Sequence, residues 1–336
     1  MKRNYFMLAA ATMLFAACAE TDVLVDVTEK ENAPQEIGFD AFANKTTRAI
    51  DNETDLQNKG GFHVWGYKTR GNENPYTVFN ATEVYWDEDW KYDDIQYWDM
   101  TADYKFYAVA PNAEKAGVTY GITDDKKITI TGAKSAVSTE SFDHLVGVPV
   151  SVSAATNTKE TVEFTFSHVM SKISFKLQAG VDEKITVTSL IMSGWDNGLG
   201  NYTQDATTEW VIPTTTTTEG KGITSEILTK GHVVLNDNNV TEIVGSSYIM
   251  VPQTIKHVAP DADATPKVEE SGLKFNITYY INGEKFMQEG FVNSDQTWST
   301  NTHTTYTIIV KPDIIEFGVE AINGWTNSDS GSATIQ

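Results

Sequence analysis

Between residues 37 and 322 apolar and polar residues alternate in short runs, most of them closed by glycine, proline, asparagine or aspartate. Successive side chains of a strand point to opposite faces, so a period of two marks strands with one face in a core. Phe62-His63-Val64-Trp65-Gly66-Tyr67, Tyr104-Lys105-Phe106-Tyr107-Ala108-Val109-Ala110 and Val162-Glu163-Phe164-Thr165-Phe166 carry the pattern plainly. The runs 76–79 and 82–86 read as two strands. The runs 273–281 and 284–291 flank Asn282-Gly283, which suits a two-residue hairpin turn. Pro149 within 145–152 predicts an edge or a bulge. Two periods compete between 167 and 177: Val169, Ile173 and Leu177 at helical spacing, and Ile173, Phe175 and Leu177 at strand spacing. The reading adopted is a strand preceded by a short turn at 168–170. Gly194 to Gly200 reads as a turn. No long amphipathic helix emerges, so the fold class is all-β, with two tandem sandwiches expected. No repeat of ~20–50 residues is visible, which disfavours a propeller or solenoid.

Cys18 is the sole cysteine among 336 residues. No intramolecular disulfide is available, and the fold stands on its hydrophobic core. Lys2 and Arg3 precede an apolar stretch at 5–17 that is shorter than the roughly 20 residues needed to span a bilayer and fits a secretory signal. It ends in Leu14-Phe15-Ala16-Ala17-Cys18, small residues before a cysteine that suit a lipoprotein signal peptidase. The expectation is a signal peptide at 1–17 and a lipidated Cys18 heading a tether at 18–35. Its acyl chains, palmitate among them, would hold outer-membrane lipid, and several chains anchor far better than one. The plainer alternative is an ordinary signal peptide with an incidental cysteine. The roughly 320 residues left exceed the ~250–300 at which single cores stop growing. An N-terminal β-sandwich is expected at 36–177 and a C-terminal one at 178–336. Within the first, a strand at 37–43 precedes the polar stretch Asn44-Lys45-Thr46-Thr47-Arg48-Ala49. Arg48 offers an exposed cleavage point to an arginine-specific protease.

Lys plus Arg number 25 against 46 Asp plus Glu, a net charge of −21, and loss of Lys2 and Arg3 takes it to −23. Such a surface repels phosphate backbones and excludes nucleic acid as a partner class. Signs of chemistry are sparse. The histidines are His63, His144, His168, His232, His257 and His303, with no His-Glu-x-x-His, Gly-x-Ser-x-Gly or P-loop pattern. His168, beside apolar residues, reads as a hydrogen-bonded core histidine. Asp87, Glu88, Asp89, Asp93 and Asp94 read first as a solvated face, since a glycosidase needs two carboxylates at a fixed separation across a cleft. No catalytic residue, cofactor or metal is assigned, and the chain is expected not to be an enzyme. Trp86, Trp90, Tyr92, Tyr97 and Trp98 crowd one segment. They are either core-packing strands or a stacking platform for sugar rings, and the second reading would make a lipid-anchored glycan-binding protein that does not polymerise.

Several segments together resemble the fimbrillin family of Bacteroidales surface pili. They are the lipoprotein-type signal, Ile37-Gly38-Phe39 followed by Thr46-Thr47-Arg48-Ala49, Phe62 through Tyr67, Tyr97-Trp98 with Tyr104 through Pro111, and Phe166-Ser167-His168 with Ser171-Lys172-Ile173. Val251-Pro252-Gln253, Trp298 ahead of Tyr306-Thr307-Ile308, and Ile322-Asn323-Gly324-Trp325 complete the set. The acidic Glu20 and Asp22 after Cys18 resemble the surface-export signal of Bacteroides-type lipoproteins. The resemblance implies two transthyretin-like β-sandwich domains, an outer-membrane and fimbrial location, and assembly by donor-strand exchange. An arginine-specific protease would cut between Arg48 and Ala49, and the strand carrying Ile37, Phe39 and Ala41 would be lost. A neighbour's C-terminal part, from about Ile314 onward, would fill the groove. Implied partners are other fimbrial subunits joined head to tail and, for an adhesive role, a receptor on a host or bacterial surface.

Overall fold

The computed structural model describes residues 34–43, 53–112, 118–135, 142–157, 160–196, 199–212, 225–226, 228, 232–236, 240–242, 247–312 and 314–323. Cys18, Arg48 and Ala49 lie outside them. Packing divides the chain into Met1–Gln35 and Glu36–Gln336, and the strands belong to the second unit. Apart from the six-residue helix Glu53–Asn58, the regular structure among the described residues is β.

The largest sheet starts at the leading strand Phe39–Ala43. It continues in space through Val162–His168, Leu145–Gly147, Asp103–Ala110, Phe62–Thr69, Tyr76–Trp86 and Trp90–Lys91. Tyr76–Trp86 is one strand where the sequence suggests two. Ala81 takes a φ of 53° and the register against Phe62–Thr69 shifts on either side of Gly66, so an irregularity absorbs the break instead of ending the strand. Pro149 falls between Leu145–Gly147 and Val150–Val152, both of which pair with Asp103–Ala110. Lacking an N–H, the proline interrupts the ladder at that point, and among the described residues Val150–Val152 beyond it pairs with Asp103–Ala110 alone.

Ser171–Ala179 is a strand, and the break before it falls at 169–170. It pairs in parallel with Thr302–Val310, which in turn pairs antiparallel with the edge strand Ile315–Asn323. A second sheet contains Ile185–Ser193, Lys274–Ile281 and Glu284–Phe291. Asn282 and Gly283 have φ of 51° and 84°. Both values are positive, as a type I′ turn requires, and Ile281 is thereby set opposite Glu284. Another sheet joins Trp210–Val211, Gly200–Thr203, Ile128–Ala133 and Thr119–Ile122. It unites segments from both sides of residue 178, and its strand Gly200–Thr203 begins at the last residue of the stretch 194–200 that the sequence reads as a turn.

Burial gathers into three clusters. Phe62, Phe79, Phe106, Phe164 and Phe166 belong to the first. Phe175, Phe275, Tyr279, Trp298 and Tyr306 belong to the second, where the sheets holding Ser171–Ala179 and Lys274–Ile281 meet. Trp65, Tyr107, Tyr202 and Trp210 belong to the third. Each fully buried ring side chain contributes roughly 1.5–3 kcal/mol over its exposed state, which lets the fold stand without a disulfide. In the second cluster the Trp298 indole donates to the Tyr306 hydroxyl at 2.9 Å, and that hydroxyl donates to Gln296 Oε1 at 3.0 Å.

His168 is a hydrogen-bonded core histidine, with Nδ1 2.6 Å from Asp143 Oδ2 and both residues buried. Next to it, His144 Nδ1 lies 2.9 Å from the Tyr120 hydroxyl, and burial pushes the His144 pKa from 6.5 down to about 3. His144 is therefore neutral in the fold, while the unfolded chain takes up a proton below about pH 6.5. Between the two values the unfolded state binds more protons, so stability falls as pH falls through that window. One proton corresponds to about 1.4 kcal/mol per pH unit. Urea titrations between pH 7 and 4 are expected to show this loss, and His144→Gln to remove about one proton's worth of slope. An unchanged slope would locate the acid sensitivity at another group.

Candidate functional site

Ile37, Phe39 and Ala41 alternate along the leading segment and are 0%, 4% and 0% exposed. Gly38 and Asp40 between them are half-buried. The strand lies at the edge of its sheet and pairs in parallel with Val162–His168, Phe39 opposite Val162 and Ala41 opposite Phe164. Parallel pairing lets two strands far apart in sequence lie side by side without a tight turn. Phe39 is the anchor. Its ring sits 5.1 Å from Phe79, 5.4 Å from Tyr92 and 6.0 Å from Phe106, all edge-on, and 6.1 Å from the stacked Phe164. Such pairs add ~0.5–1.5 kcal/mol each beyond burial.

The other flank of the segment is held as well. Glu36 forms an isolated antiparallel bridge with Tyr97, and the Ile37 N–H donates to the Gln96 carbonyl at 2.9 Å. The Tyr92 hydroxyl donates to the Ile37 carbonyl at 2.8 Å and accepts from the Gln96 N–H at 3.2 Å. Burial raises the Tyr92 pKa, so this hydroxyl keeps its proton. The leading segment thus bridges Val162–His168, its neighbour in the sheet order, and the loop that follows Trp90–Lys91 at the other end. Taking it away would leave unpaired backbone groups on both sides of an apolar trough.

One contact works against this grip. Asp40 lies beside Glu163 in the register, and neighbouring like charges on adjacent strands are destabilising. Asp40 Oδ1 accepts the N–H of Ala41 at 2.7 Å, which uses part of its charge locally.

Among the sequence-predicted residues, the structure brings Ile37, Phe39 and Ala41 into one groove. In the aromatic segment, Trp90, Tyr92 and Trp98 are buried, while Trp86 and Tyr97 are 37% and 50% exposed. Core packing therefore accounts for three of the five rings. Asp87, Glu88, Asp89, Asp93 and Asp94 are exposed. Among the described residues no group of three or more His, Cys, Asp or Glu is arranged to hold a metal, and no helix is long and apolar enough to cross a membrane. The sequence groups Tyr92 with the aromatic segment but does not reveal its bond to a carbonyl 55 positions earlier. The isolated apolar Leu56, buried from the short helix Glu53–Asn58 in the same core as Phe39, carries no periodic signal either.

Comparison with known proteins finds relatives. A family model described as fimbrillin-like matches residues 47–325. Fimbrium subunit Fim1C of Phocaeicola vulgatus is 24% identical over 392 aligned positions covering all of both chains. Among solved structures, a Bacteroides uniformis protein proposed to act in cell adhesion matches with a TM-score of 0.44 at 16% identity, over 87% of this chain and 98% of that one. The tip fimbrial protein Mfa3 of Porphyromonas gingivalis, with a C-terminal truncation, matches with a TM-score of 0.33 at 11% identity, over 84% and 98%.

Proposed function

The chain belongs to the fimbrillin-like family, and on that footing we propose that it is a fimbrial structural or accessory subunit supporting surface adhesion. It travels to the outer membrane on a Cys18 lipid anchor. Cleavage after Arg48 then removes the leading strand, and a strand from a neighbouring subunit takes its place. Two transthyretin-like sandwiches carry this exchange; the strand Ser171–Ala179, which spans the expected division at 177/178, packs with the second. A strand added to an open edge restores both the ladder and the apolar filling. Because giver and receiver surfaces differ, the contact is head-to-tail and propagates.

The observation that carries this reading is a shared side-chain code. The leading segment reads Ile37-Gly38-Phe39-Asp40-Ala41-Phe42-Ala43, and the C-terminal edge strand reads Ile315-Glu316-Phe317-Gly318-Val319-Glu320-Ala321. Isoleucine, phenylalanine, a small or β-branched residue and alanine recur at the same alternate positions in the same direction. Val319 adds two carbons at the Ala41 place, an overpacking of about 1–3 kcal/mol that local shifts must absorb. Gly318 in the Asp40 place removes the repulsion with Glu163. Similar codes in Tyr104 to Ala110 and Ile173 to Ala179 belong to strands held on both sides by neighbours. Among the described residues Ile315–Asn323 pairs with one strand only, so of these three it has one ladder to give up instead of two. The rival reading, a permanently anchored glycan binder, loses Trp90 and Trp98 to the core and keeps only Trp86 and Tyr97 of that segment as partly open rings.

A cysteine pair tests the exchange. Processing at Arg48 removes Cys18, leaving no native thiol. Glu163→Cys combined with Gly318→Cys places one sulfur beside the groove and the other at the Asp40-equivalent of the incoming strand. Adjacent strands bring register partners within the 4.4–6.8 Å Cα separation that a disulfide requires. The expected result is a ladder of covalent multimers on a non-reducing gel, formed only after cleavage and absent from either single variant. Fibres that assemble without any cross-link would assign the groove to another strand or register.

A further inference from the structure

Arginine is scarce in this chain. Of its 25 basic residues 22 are lysine, and the three arginines are Arg3, Arg48 and Arg70. Arg3 belongs to the expected signal peptide, so an arginine-specific protease acting on the exported chain meets one bond after Arg48 and one after Arg70. Arg70 opens the exposed stretch Arg70-Gly71-Asn72-Glu73-Asn74-Pro75 that joins Phe62–Thr69 to Tyr76–Trp86. Exposed loop tips are where proteolytic nicking concentrates. A cut there would sever the hairpin that supplies Phe79 to the Phe39 site.

The Arg70 side chain is already occupied. Its Nε donates to Asp99 Oδ2 at 2.8 Å, and its Nη2 donates to the same oxygen. Lys68 Nζ lies 3.5 Å from that oxygen. Asp99 is itself pinned. Its Oδ1 accepts from the Thr101 hydroxyl at 2.7 Å and from the Thr101 N–H at 3.0 Å, and its own N–H donates to the Tyr104 hydroxyl at 2.8 Å. These bonds, the Thr101 hydroxyl first, hold the carboxyl well below the usual carboxylate range, so it is charged at neutral pH. The Asp99 side chain is 15% exposed and that of Arg70 53%, so a fixed carboxylate holds a guanidinium that solvent still reaches. The backbone is closed as well. The Arg70 carbonyl accepts from the Glu73 N–H at 3.0 Å, and Gly71 has a φ of 51°.

We propose that Asp99 shields the Arg70–Gly71 bond and so directs the maturing protease to Arg48. The choice of protease rests on the processing proposed at Arg48; the shield is a property of the folded chain. An enzyme that selects arginine takes the guanidinium onto a carboxylate in its own pocket. Asp99 competes for that same group. The enzyme must also draw the bond out of its turn, and cutting follows the population of the opened form. Clamp and turn both lower that population. An exposed ion pair is a weak restraint, and its share is about fivefold.

The test digests the purified full chain with a limiting amount of an arginine-specific protease and counts, by mass, products that begin at Ala49 or at Gly71. Their ratio within one sample cancels changes in the enzyme. Ala49 products should dominate in the parent. In Asp99→Asn the Gly71 share should rise about fivefold, and adding Arg70→Gln should abolish it. Raising salt from about 0.05 to about 0.5 M screens an exposed pair, so the parent share should climb toward that of Asp99→Asn while the variant stays where it is. A lysine-specific protease should cut at Lys91, in the strand ahead of Asp99, equally in both chains. Equal cutting at the two arginines in the parent, an unchanged share in Asp99→Asn, or a parent share indifferent to salt would overturn the shield. So would an equal rise at Lys91, which would mark a general loosening. A parent left uncut at Arg48 would overturn the processing, and the Gly71 yields of parent and variant would still judge the shield.

Discussion

A chain carrying Arg48→Ala is expected to be exported and lipidated, to stay monomeric and to form no fibres. The uncut leading strand remains tethered to its own groove at an effective concentration on the order of millimolar. A neighbouring strand at about micromolar concentration then competes at a disadvantage of roughly a thousandfold before any contact is compared. Cleavage between Arg48 and Ala49 abolishes that advantage, because the freed segment dilutes away once it leaves. Electron micrographs of surface material and the N-terminal residue of the purified protein together check the expectation. The parent should begin at Ala49 and form fibres; the variant should begin at Cys18 and form none. Fibres in equal amount from the variant would end the strand-release account.

Phe39→Ala should destabilise the uncut chain by about 3–5 kcal/mol, the usual cost of emptying a buried phenylalanine site. The four rings around it are held by separate strands and by the Tyr92 loop, so collapse into the void is restricted and the upper part of that range applies. Urea denaturation of the precursor measures the loss. The same substitution should have no effect on fibres built from processed chains, since residue 39 is then gone. A defect that persists in processed fibres would mean that the leading strand stays in place throughout assembly.

Much of the fold was legible because strand periodicity is local. The runs at 62–67, 104–110 and 162–166 and the Asn282-Gly283 hairpin declare themselves within a few residues, and each forms where alternation places it. The break between the two strands was legible for the same reason, though it falls at 169–170 and His168 still belongs to the preceding strand: the helical spacing there was too short to hold a helix against the strand pattern on either side. Pairing partners were not legible. Ile128–Ala133 meets Gly200–Thr203 about seventy residues later, and nothing in Gly200-Asn201-Tyr202-Thr203 alone names that partner. At the candidate site, Ile37, Phe39 and Ala41 were readable as an apolar alternation, and their burial agrees. The sheet-edge position, the parallel register against Val162–His168 and the Tyr92 bond depend on contacts with residues 92–97 and 162–166. Local pattern does not encode such distances. The exposure of Trp86 beside the burial of Trp90, a pair that pack edge-on at 5.2 Å, likewise depends on a distant residue: the Trp90 ring lies 5.0 Å from that of Phe62.

The like-charged neighbours Asp40 and Glu163 bear on how irreversible assembly is. A leading strand free of this repulsion would rebind after cleavage as readily as any newcomer, and subunits would idle in a capped state. With two carboxylates side by side, the severed segment re-enters a groove that disfavours it, while a strand bringing Gly318 sets no charge directly opposite Glu163 and holds its own Glu316 and Glu320 one pair away on either side. In the proposed cycle the acidic pair works as a one-way valve, mild enough to let the precursor fold shut and sufficient to bias the traffic outward once the peptide bond is cut.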